Sequence, residues 1–247
     1  MKKDNALRLG IIGGGRAAWA FGSTWRRMGW PLSGVATRSQ SPMASLLDAP
    51  GRTIDDLAAS SDLLLVAVSD RAIEDVIASI PETSAIIMHP SGALPALRGG
   101  FSLHPLKALP PVGEASDLAG TLLVFEGAHR DVAERIAAAA GARFAEIPSD
   151  ARMRYHAAAV FGSNYVAALL DIAEELIGLE EVREDLAALA RSAIDNWLAH
   201  TDRQRFTGPA ARGDEEVVRR HIEALAGAPG LAEIYRLLAA RIVATAK

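Results

Sequence analysis

The sequence lacks cysteine altogether, and aromatic residues make up only 5% of its 247 positions. Without cysteine the chain has no disulfide, thiolate nucleophile, iron–sulfur cluster or cysteine-based zinc site. Its histidines form no His-Glu-x-x-His pattern and no pair at helical spacing, so we expect no metal. No apolar run approaches the ~20 residues that a membrane helix requires, so we expect no membrane partner.

A surplus of positive charge is also missing. The 26 basic and 30 acidic residues give a formal net charge of −4 at pH 7, which disfavours a nucleic-acid partner. Residues 1–3 and the apolar residues after them are faintly similar to a signal peptide. However, Asp4, Arg8 and Arg16 interrupt the stretch, and no small-residue cleavage site follows. We therefore expect a cytoplasmic protein.

Half of the residues are apolar, and in the first 148 they form short runs that alternate with helical segments. Such runs suit strands that are buried on both faces of a parallel sheet. The predicted strands are 7–12, 32–37, 63–68, 85–89, 122–125 and 143–147. The predicted helices between them are 17–28, 42–47, 71–80 and 132–140. This alternation predicts an α/β fold with a doubly wound, mostly parallel sheet.

The pattern changes near residue 148, after which no strand is predicted. Residues 150–176 have apolar residues at helical spacing and are predicted to form one long helix. Three more helices are predicted at 182–200, 215–225 and 231–246, with glycine and proline between them. We therefore predict two domains, an α/β domain at 1–148 and an all-helical domain at 149–247.

Three consecutive glycines follow the first predicted strand. Gly13, Gly15 and Ala18 fit the Gly-x-Gly-x-x-Ala fingerprint of the Rossmann fold. In that fingerprint the first glycine makes a tight turn, the second lets the backbone approach a pyrophosphate, and alanine permits close helix–strand contact. The next helix would offer the amides of Arg16 and Ala17 to phosphate. An ordinary turn is the alternative, but the position between strand and helix favours a dinucleotide site.

The acidic residue that usually binds the ribose in NAD sites is missing from the end of the second predicted strand. Residues 5–47 contain no Asp or Glu, and Arg38 stands between Thr37 and Ser39. A guanidinium with two hydroxyls can hold a ribose phosphate, and a charge-assisted bond of about 1.5–3 kcal/mol gives roughly a ten- to hundredfold preference. The sequence therefore predicts NADP as the cofactor. The alternative is that Arg38 is a solvated loop residue.

Two histidines, His89 and His104, each precede a proline. Proline favours extended backbone in the residue before it, so both are expected at strand ends, where open parallel sheets bind ligands. His104 could act as a general acid or orient a carbonyl, Lys107 could hold a substrate carboxylate, and Ser91 could line the site. The alternatives are a hydrogen-bonded corner for His104 and a solvated Lys107.

The helical half offers two further candidates. Asn164 follows Gly162 and Ser163 inside the long predicted helix, where a glycine costs about 1 kcal/mol relative to alanine. Close helix packing explains this as well as a ligand contact from Asn164 does. Arg212 lies in a glycine- and proline-rich loop before Asp214, the predicted N-cap of the next helix, and could reach an anionic group.

Together these motifs resemble one family, and the resemblance covers nearly the whole chain. The motifs are the glycine turn, Val68-Ser69-Asp70, His89-Pro90-Ser91-Gly92-Ala93, Leu103-His104-Pro105-Leu106, His156 with Gly162-Ser163-Asn164, and Thr207-Gly208-Pro209 with Arg212-Gly213-Asp214. The family consists of Rossmann-like proteins, expected to be oxidoreductases, whose helical C-terminal half is a domain of unknown function. It is similar in turn to pyrroline-carboxylate reductases, prephenate dehydrogenases, deazaflavin-dependent NADP reductases and 6-phosphogluconate-type dehydrogenases.

The resemblance implies a homodimer formed through the helical domain and a small, anionic substrate bound between the domains. Three positions depart from the characterised enzymes. Asn164 and Tyr165 stand where the reductases carry glycine and proline, and Val160 stands where the β-hydroxyacid dehydrogenases carry a lysine. The familiar catalytic lysine is therefore missing, and no specific substrate follows from the resemblance.

The resulting prediction is an NADP-dependent oxidoreductase that transfers a hydride between nicotinamide and a small carbonyl, imine or hydroxy compound. The predicted catalytic residues are His104, Lys107, Asn164 and Arg212. The predicted cofactor-binding residues are Gly13, Gly15, Arg16, Ala17, Thr37, Arg38, Ser39, Val68, Ser69 and Ser91. The alternatives are a catalytically silent NADP sensor or scaffold and, with less support, a prephenate-type dehydrogenase.

Overall fold

The computed structural model describes residues 6–245, apart from the side chain of Arg203. The segment 1–3, considered above as part of a signal peptide, lies outside this range. Within it, seven strands form one sheet in the order β2-β1-β3-β4-β5-β6-β7. The strands are β1 Leu9–Ile12, β2 Leu32–Ala36, β3 Leu63–Val66, β4 Ile86–His89, β5 Phe101–Pro105, β6 Leu122–Gly127 and β7 Arg143–Glu146. Strands β1 to β5 are parallel, while β6 runs antiparallel to β5 and pairs in parallel with β7.

The helices follow the predicted alternation along the first part of the chain and continue without further strands to its described end. They are α1 Arg16–Arg27, α2 Met43–Leu46, α3 Ile54–Ser60, α4 Asp70–Ser79, α5 Arg130–Ala139, α6 Arg152–Phe161, α7 Asn164–Ile177, α8 Arg183–Ala199, α9 Pro209–Arg212, α10 Glu215–Ala224 and α11 Pro229–Thr245. The predicted fold class is confirmed: a doubly wound, mostly parallel Rossmann-like sheet precedes an all-helical region.

The central strands are buried on both faces because their apolar residues alternate between two cores. Leu63 and Leu65 of β3 pack with residues of α1 and α5, whereas Leu64 and Val66 pack with residues of α3 and α4. Side chains of a strand point to opposite faces in turn, so an unbroken apolar run supplies both cores. This is why the run 63–68 predicts a central strand.

The long helix predicted at 150–176 is wrong in one respect, because the structure breaks it. A 3₁₀ turn at Ser149–Ala151 leads into α6, which ends at Phe161, and α7 begins at Asn164. At the break the Ser163 hydroxyl donates to the Ala159 carbonyl at 2.6 Å. The Ser163 amide donates to Val160, three residues back, so the backbone tightens there.

Two α-helices and one strand were given no range from the sequence, namely α3, α9 and β5, although His104 was expected at a strand end. Helix α3 has a capping box, in which Thr53 and Asp56 bond each other's backbone amides. Strand β5 depends on partners distant in the sequence, since it pairs with β4 on one side and β6 on the other.

The chain divides into two compact units, the first ending at Tyr165 and the second beginning at Val166. Residues 149–165, which the sequence analysis assigns to the helical domain, lie in the first unit by their contacts. Across residues 6–245, none of the helices combines the length and apolar character needed to cross a bilayer.

Candidate active site

The glycine turn after β1 has a geometry that other residues would disturb. Gly13 has φ +130°, and a Cβ at this position would lie 2.2 Å from the Ala67 carbonyl oxygen. Its amide donates to the Ala36 carbonyl at 2.9 Å, which holds the turn against the end of β2. Gly15 is different: a Cβ there would meet nothing within 4 Å. The turn is therefore packed against the Ala67 backbone at Gly13, whereas the space beside Gly15 holds no atom of the chain within 4 Å of a Cβ.

Helix α1 presents its N-terminus to this open space. Gly15 is the N-cap residue and has no side chain to cap the first amides, and the first turn contains no acidic residue. The first amides of a helix and its dipole favour an anion. Arg16 is exposed, and its Nη1 lies 3.5 Å from the Leu109 carbonyl oxygen. The predicted diphosphate site at Gly13, Gly15, Arg16 and Ala17 thus has room, free amides and a nearby cation.

The end of β2 forms one wall of an open cleft of about 550 Å³. Its lining residues are Val35, Thr37, Gln40, Ser41, Pro42, Ala44 and Gly51. The Thr37 hydroxyl donates to the Ser39 carbonyl at 2.9 Å. Arg38 is exposed, and in the described part of the chain it has no hydrogen bond or ion pair that would hold its guanidinium away from a ligand.

The remaining predicted cofactor residues differ in how accessible they are. Val68 is half-buried after β3, and Ser69 is the exposed N-cap residue of α4, with no side-chain capping bond. Ser91 is buried, and its hydroxyl accepts the amides of Ala93 and Leu94 at 3.1 Å each. The Ser91 side chain therefore closes the turn after β4.

Beside this turn, three titratable side chains form a group that we name the His–Tyr cluster: His104, Tyr155 and His156. Nδ1 of His104 lies 2.5 Å from the Tyr155 hydroxyl, and their rings meet edge to face. The rings of His104 and His156 also meet edge to face, 6.1 Å apart. A Cβ at Gly92 would lie 2.6 Å from Nδ1 of His156 and 3.0 Å from Nε2 of His104. A side chain at position 92 would therefore collide with both rings, and only glycine lets the backbone pass this close to them.

Burial sets the charge of two members of this cluster, His104 and Tyr155. It lowers the pKa of His104 to about 4, and the neighbouring His156 and Arg152 lower it further, while Asp70 opposes them. Burial also raises the pKa of Tyr155 to about 12, against the opposite effect of Arg152. Both side chains are therefore neutral at pH 7.

His89 ends β4 as predicted, but its role is structural. It is buried, and its Nε2 lies 2.8 Å from the Pro95 carbonyl oxygen, which can only accept a hydrogen bond. Burial lowers the pKa of His89, so the ring is held neutral. His89 thus fixes the loop after β4, as in the hydrogen-bonded corner that sequence reasoning offered as the alternative for His104.

A buried ion pair lies behind the His–Tyr cluster. Arg152, only 1% exposed, donates to the Ser91 carbonyl and the Ser102 hydroxyl and lies 3.7 Å from Oε2 of Glu126. Glu126 in turn accepts the Ala96 amide and the Ser149 hydroxyl, each at 2.6 Å. The pair therefore ties α6 to β5, β6 and the turn after β4.

Sequence reasoning did not single out Tyr155, Arg152 or Glu126. Arg152 and Tyr155 are three residues apart and so share one face of α6. An arginine within an apolar helical pattern directly after the last strand was the available signal. Tyr155 contacts His104, which is 51 residues away along the chain, and Arg152 contacts Ser91, which is 61 residues away. Patterns within a short stretch of sequence do not show such contacts.

The other predicted catalytic residues do not join the cluster. Lys107 is exposed, and its Nζ donates to the Asp117 carbonyl at 2.5 Å. Asn164 is the exposed first residue of α7, and Arg212 is the exposed last residue of α9 in the second unit. Of the four predicted catalytic residues, the structure thus surrounds only His104 with other titratable side chains.

Comparison with known protein families divides the chain between β5 and β6, earlier than the boundary between the two compact units. Residues 2–106 match the family model described as a Rossmann-like domain, and residues 122–242 match the one described as a domain of unknown function, DUF2520. No protein with a curated description matches the sequence.

Solved structures share the architecture over nearly the whole chain. Protein BF3122 of Bacteroides fragilis, described as a candidate NADP oxidoreductase, is 23% identical with a TM-score of 0.79, over 96% of this chain and 98% of that one. Protein TM1727 of Thermotoga maritima is 23% identical with a TM-score of 0.74, over 96% of this chain and 98% of that one. A third structure is a reductive aminase of Aspergillus terreus in complex with NADPH and ethyl levulinate. It is 20% identical with a TM-score of 0.61, over 89% of this chain and 78% of that one. At these identities the likeness establishes the fold.

Proposed function

Because this chain joins a Rossmann-like domain to a DUF2520 domain, we propose that it is an NADP-dependent oxidoreductase. Its substrate would be a small carbonyl, imine or hydroxy compound. The observation that carries the proposal is the turn at Gly13 and Gly15, which leaves the N-terminus of α1 open to a diphosphate. The names of two structural neighbours, an NADP oxidoreductase and a reductive aminase with bound NADPH, support it.

The residues present fit the cofactor. Gly13, Gly15 and the first amides of α1, at Arg16 and Ala17, would hold the diphosphate, and Ser69 after β3 would lie along the same edge of the sheet. Thr37, Arg38 and Ser39 would hold the phosphate on the ribose, since Arg38 is exposed beside the cleft at the end of β2. When bound, the nicotinamide would supply or accept the hydride.

His104 is the proposed catalytic residue next to the reacting atoms. It lies near the carboxyl end of β5, at the edge of a parallel sheet where ligands bind. As a neutral imidazole, it would donate a hydrogen bond to a carbonyl or imine rather than attract a carboxylate. Lys107, Asn164 and Arg212 stay proposals for binding the anionic part of a substrate, and Lys107 would first have to leave the Asp117 carbonyl.

We also propose a homodimer formed through the helical domain. Large apolar side chains of α8 are exposed in the single chain, with Leu198 at 75% and Trp197 at 60%. Large apolar side chains that stay exposed along a helix are a feature of protein interfaces. The cytoplasm stays the proposed compartment.

A catalytically silent NADP sensor is the second candidate. Val160 stands at the position of the familiar catalytic lysine, and the Lys107 ammonium contacts a loop carbonyl. Both observations favour binding without turnover. A prephenate-type dehydrogenase has only the His104-Pro105 segment in its support.

Calorimetry with NADPH and NADH, each titrated up to millimolar concentration, tests the proposal. We expect wild type to bind NADPH more tightly, and Arg38→Ala to weaken NADPH binding by roughly ten- to a hundredfold while NADH binding stays unchanged. Arg26→Ala is the control, since Arg26 lies at the opposite end of α1, bonded to Leu46 and Asp48. No heat with either nucleotide would contradict the proposal.

Oxidation of NADPH with a panel of keto acids, ketones and cyclic imines then separates the enzyme from the sensor. The enzyme reduces at least one class of compound, whereas the sensor binds NADPH and reduces none. Prephenate with NADP tests the third candidate in the same assay.

A further inference from the structure

We propose that Tyr155 is a second catalytic residue and that Tyr155 and His104 act together to donate a proton to the substrate. This inference rests on the proposed oxidoreductase activity. The two side chains come from β5 and α6, and their contact joins Nδ1 of His104 to the Tyr155 hydroxyl at 2.5 Å. Both are only partly buried, so a substrate can reach them.

The direction of this hydrogen bond follows from the chemistry of the two groups. A phenol hydroxyl donates well, and Nδ1 of a neutral imidazole accepts when the ring carries its proton on Nε2. We therefore assign the proton on the His104 ring to Nε2. Among the described residues Nε2 has no hydrogen-bond partner, and His104 is partly exposed, so this nitrogen is free to donate to a substrate atom.

The proposed proton transfer balances in charge. As the carbonyl carbon gains a hydride, the Nε2 proton of His104 moves to the carbonyl oxygen, whose π pair becomes the new O–H bond. The Tyr155 hydroxyl proton moves to Nδ1, so the imidazole stays neutral as its other tautomer. The O–H electron pair remains on the Tyr155 oxygen as a phenolate, which regains a proton from water after product release.

The pair is needed because His104 cannot act alone as a charged acid. With a pKa of about 4, it is not an imidazolium at pH 7. The charged and titratable groups that act on it are Tyr155, His156 and Arg152 of α6 and Asp70 of α4. A proton relayed from Tyr155 lets the neutral ring donate without becoming charged.

Arg152 would stabilise the phenolate that this transfer creates. It lies one helical turn before Tyr155 and lowers the pKa of the phenol against the effect of burial. The guanidinium is buried and bonded to the Ser91 carbonyl and the Ser102 hydroxyl, so its position is fixed. Arg152 is therefore a positioning residue rather than a catalytic one.

The chain contains a second His–Tyr pair that serves as an internal control. Nδ1 of His221 lies 2.7 Å from the Tyr235 hydroxyl, and their rings also meet edge to face. This hydrogen bond is exposed in the second unit. The control pair thus shares the contact geometry but lies outside the His–Tyr cluster.

The first measurement is nuclear magnetic resonance of ¹⁵N-labelled histidine in the protein without cofactor, which identifies each tautomer. At pH 7 we expect His104 to be neutral with its proton on Nε2. Tyr155→Phe should weaken this preference by removing the donor to Nδ1, whereas Tyr235→Phe should leave the His104 signals unchanged. A charged ring, or a proton on Nδ1 in wild type, would overturn the proposed pair.

The second measurement is turnover of the compound that wild type reduces. We expect Tyr155→Phe to lower kcat by about 10²- to 10⁴-fold with NADPH affinity unchanged, as for loss of a general acid. His104→Gln should give a similar loss, and it tests the pair independently if Tyr155→Phe does not fold. Tyr235→Phe should retain wild-type kcat.

The outcomes separate this inference from the proposed function. If wild type and Tyr155→Phe turn over equally, Tyr155 is not catalytic and the oxidoreductase proposal stands. If wild type binds NADPH but reduces no compound in the panel, the proposed function fails, and the catalytic role of Tyr155 fails with it.

Discussion

The two compact units differ in how far they bury their large apolar side chains. In the first, the central strands of the sheet are covered on both faces, and Leu9, Leu63 and Phe101 have no exposed surface. In the second, α10 has no buried residue, while α8 buries Leu186 alone and leaves Leu198 exposed. Strands that alternate between two cores complete their burial within one chain, whereas helices that leave large apolar side chains exposed need a further surface to cover them.

The same contrast applies to charged and titratable side chains. The ion pair of Arg152 with Glu126 is buried in the first unit, whereas Arg219 of the second unit pairs with Glu216 and Glu223 at an exposed surface. Burial makes electrostatic interactions stronger and the loss of a partner more costly. The same arginine-to-methionine substitution should therefore lower the free energy of unfolding more in the first unit than in the second.

The largest expected effect comes from Arg152→Met. It leaves the buried Glu126 carboxylate without its cation and should lower the free energy of unfolding by about 3–5 kcal/mol. Arg219→Met removes an exposed cation and should cost about 0–1 kcal/mol. Urea unfolding followed by far-ultraviolet circular dichroism measures both, since both units contain helices.

The double variant Arg152→Met/Glu126→Leu sharpens this test. Replacing both partners removes the unpaired charge, so much of the lost stability should return. Equal losses for Arg152→Met and Arg219→Met would show that the burial of the first ion pair has no energetic consequence.

A smaller effect is expected from pH. The pKa of His104 is about 4 in the folded chain and near 6.5 when unfolded, so between these values the unfolded state binds more protons. Stability should therefore decrease as pH falls from about 6.5 to 4, and the buried His89 should act in the same direction. The hydrogen-bonded carboxylates of Asp56 and Asp62 act mainly below this window, because their pKa values are lowered from 3.8.

His104→Gln isolates the contribution of one histidine. The variant should lose part of the slope of stability against pH between 4 and 6.5, with the remainder due to His89. An unchanged slope would mean that the folded environment does not hold His104 neutral. Chemical unfolding at a series of pH values gives the comparison.

Patterns within a short stretch of sequence predicted most of the first unit. The turn at Gly13 was predictable because strand, glycines and helix are contiguous, and β3 because its apolar run supplies both cores. Strand β5 was given no range, although His104 was expected at a strand end, because it begins directly after two glycines and its ladder is formed with β4 and β6. The break at Ser163 was missed because a hydroxyl that bonds the preceding turn does not change the apolar period.

The candidate site was predictable only where one residue carries a local signal. His104 was found because it precedes a proline near a strand end. Its partner Tyr155 is 51 residues further along the chain, and no local pattern joins the two. Lys107 was selected by charge alone, and the structure directs it to the Asp117 carbonyl.

The smallest expected change in the stability of the single chain comes from Leu198→Asp on α8. Leu198 is 75% exposed, so in dilute protein the free energy of unfolding should change by about 0.5 kcal/mol or less. If a second copy covers α8, as we propose, the same substitution places a charge in an apolar interface and should weaken the dimer by at least about tenfold. Sedimentation over a range of concentrations measures this, with Arg219→Met as a control that should leave the association unchanged. A monomeric wild type at all concentrations would show that the exposed apolar side chains of the second unit are not covered by another copy of the chain.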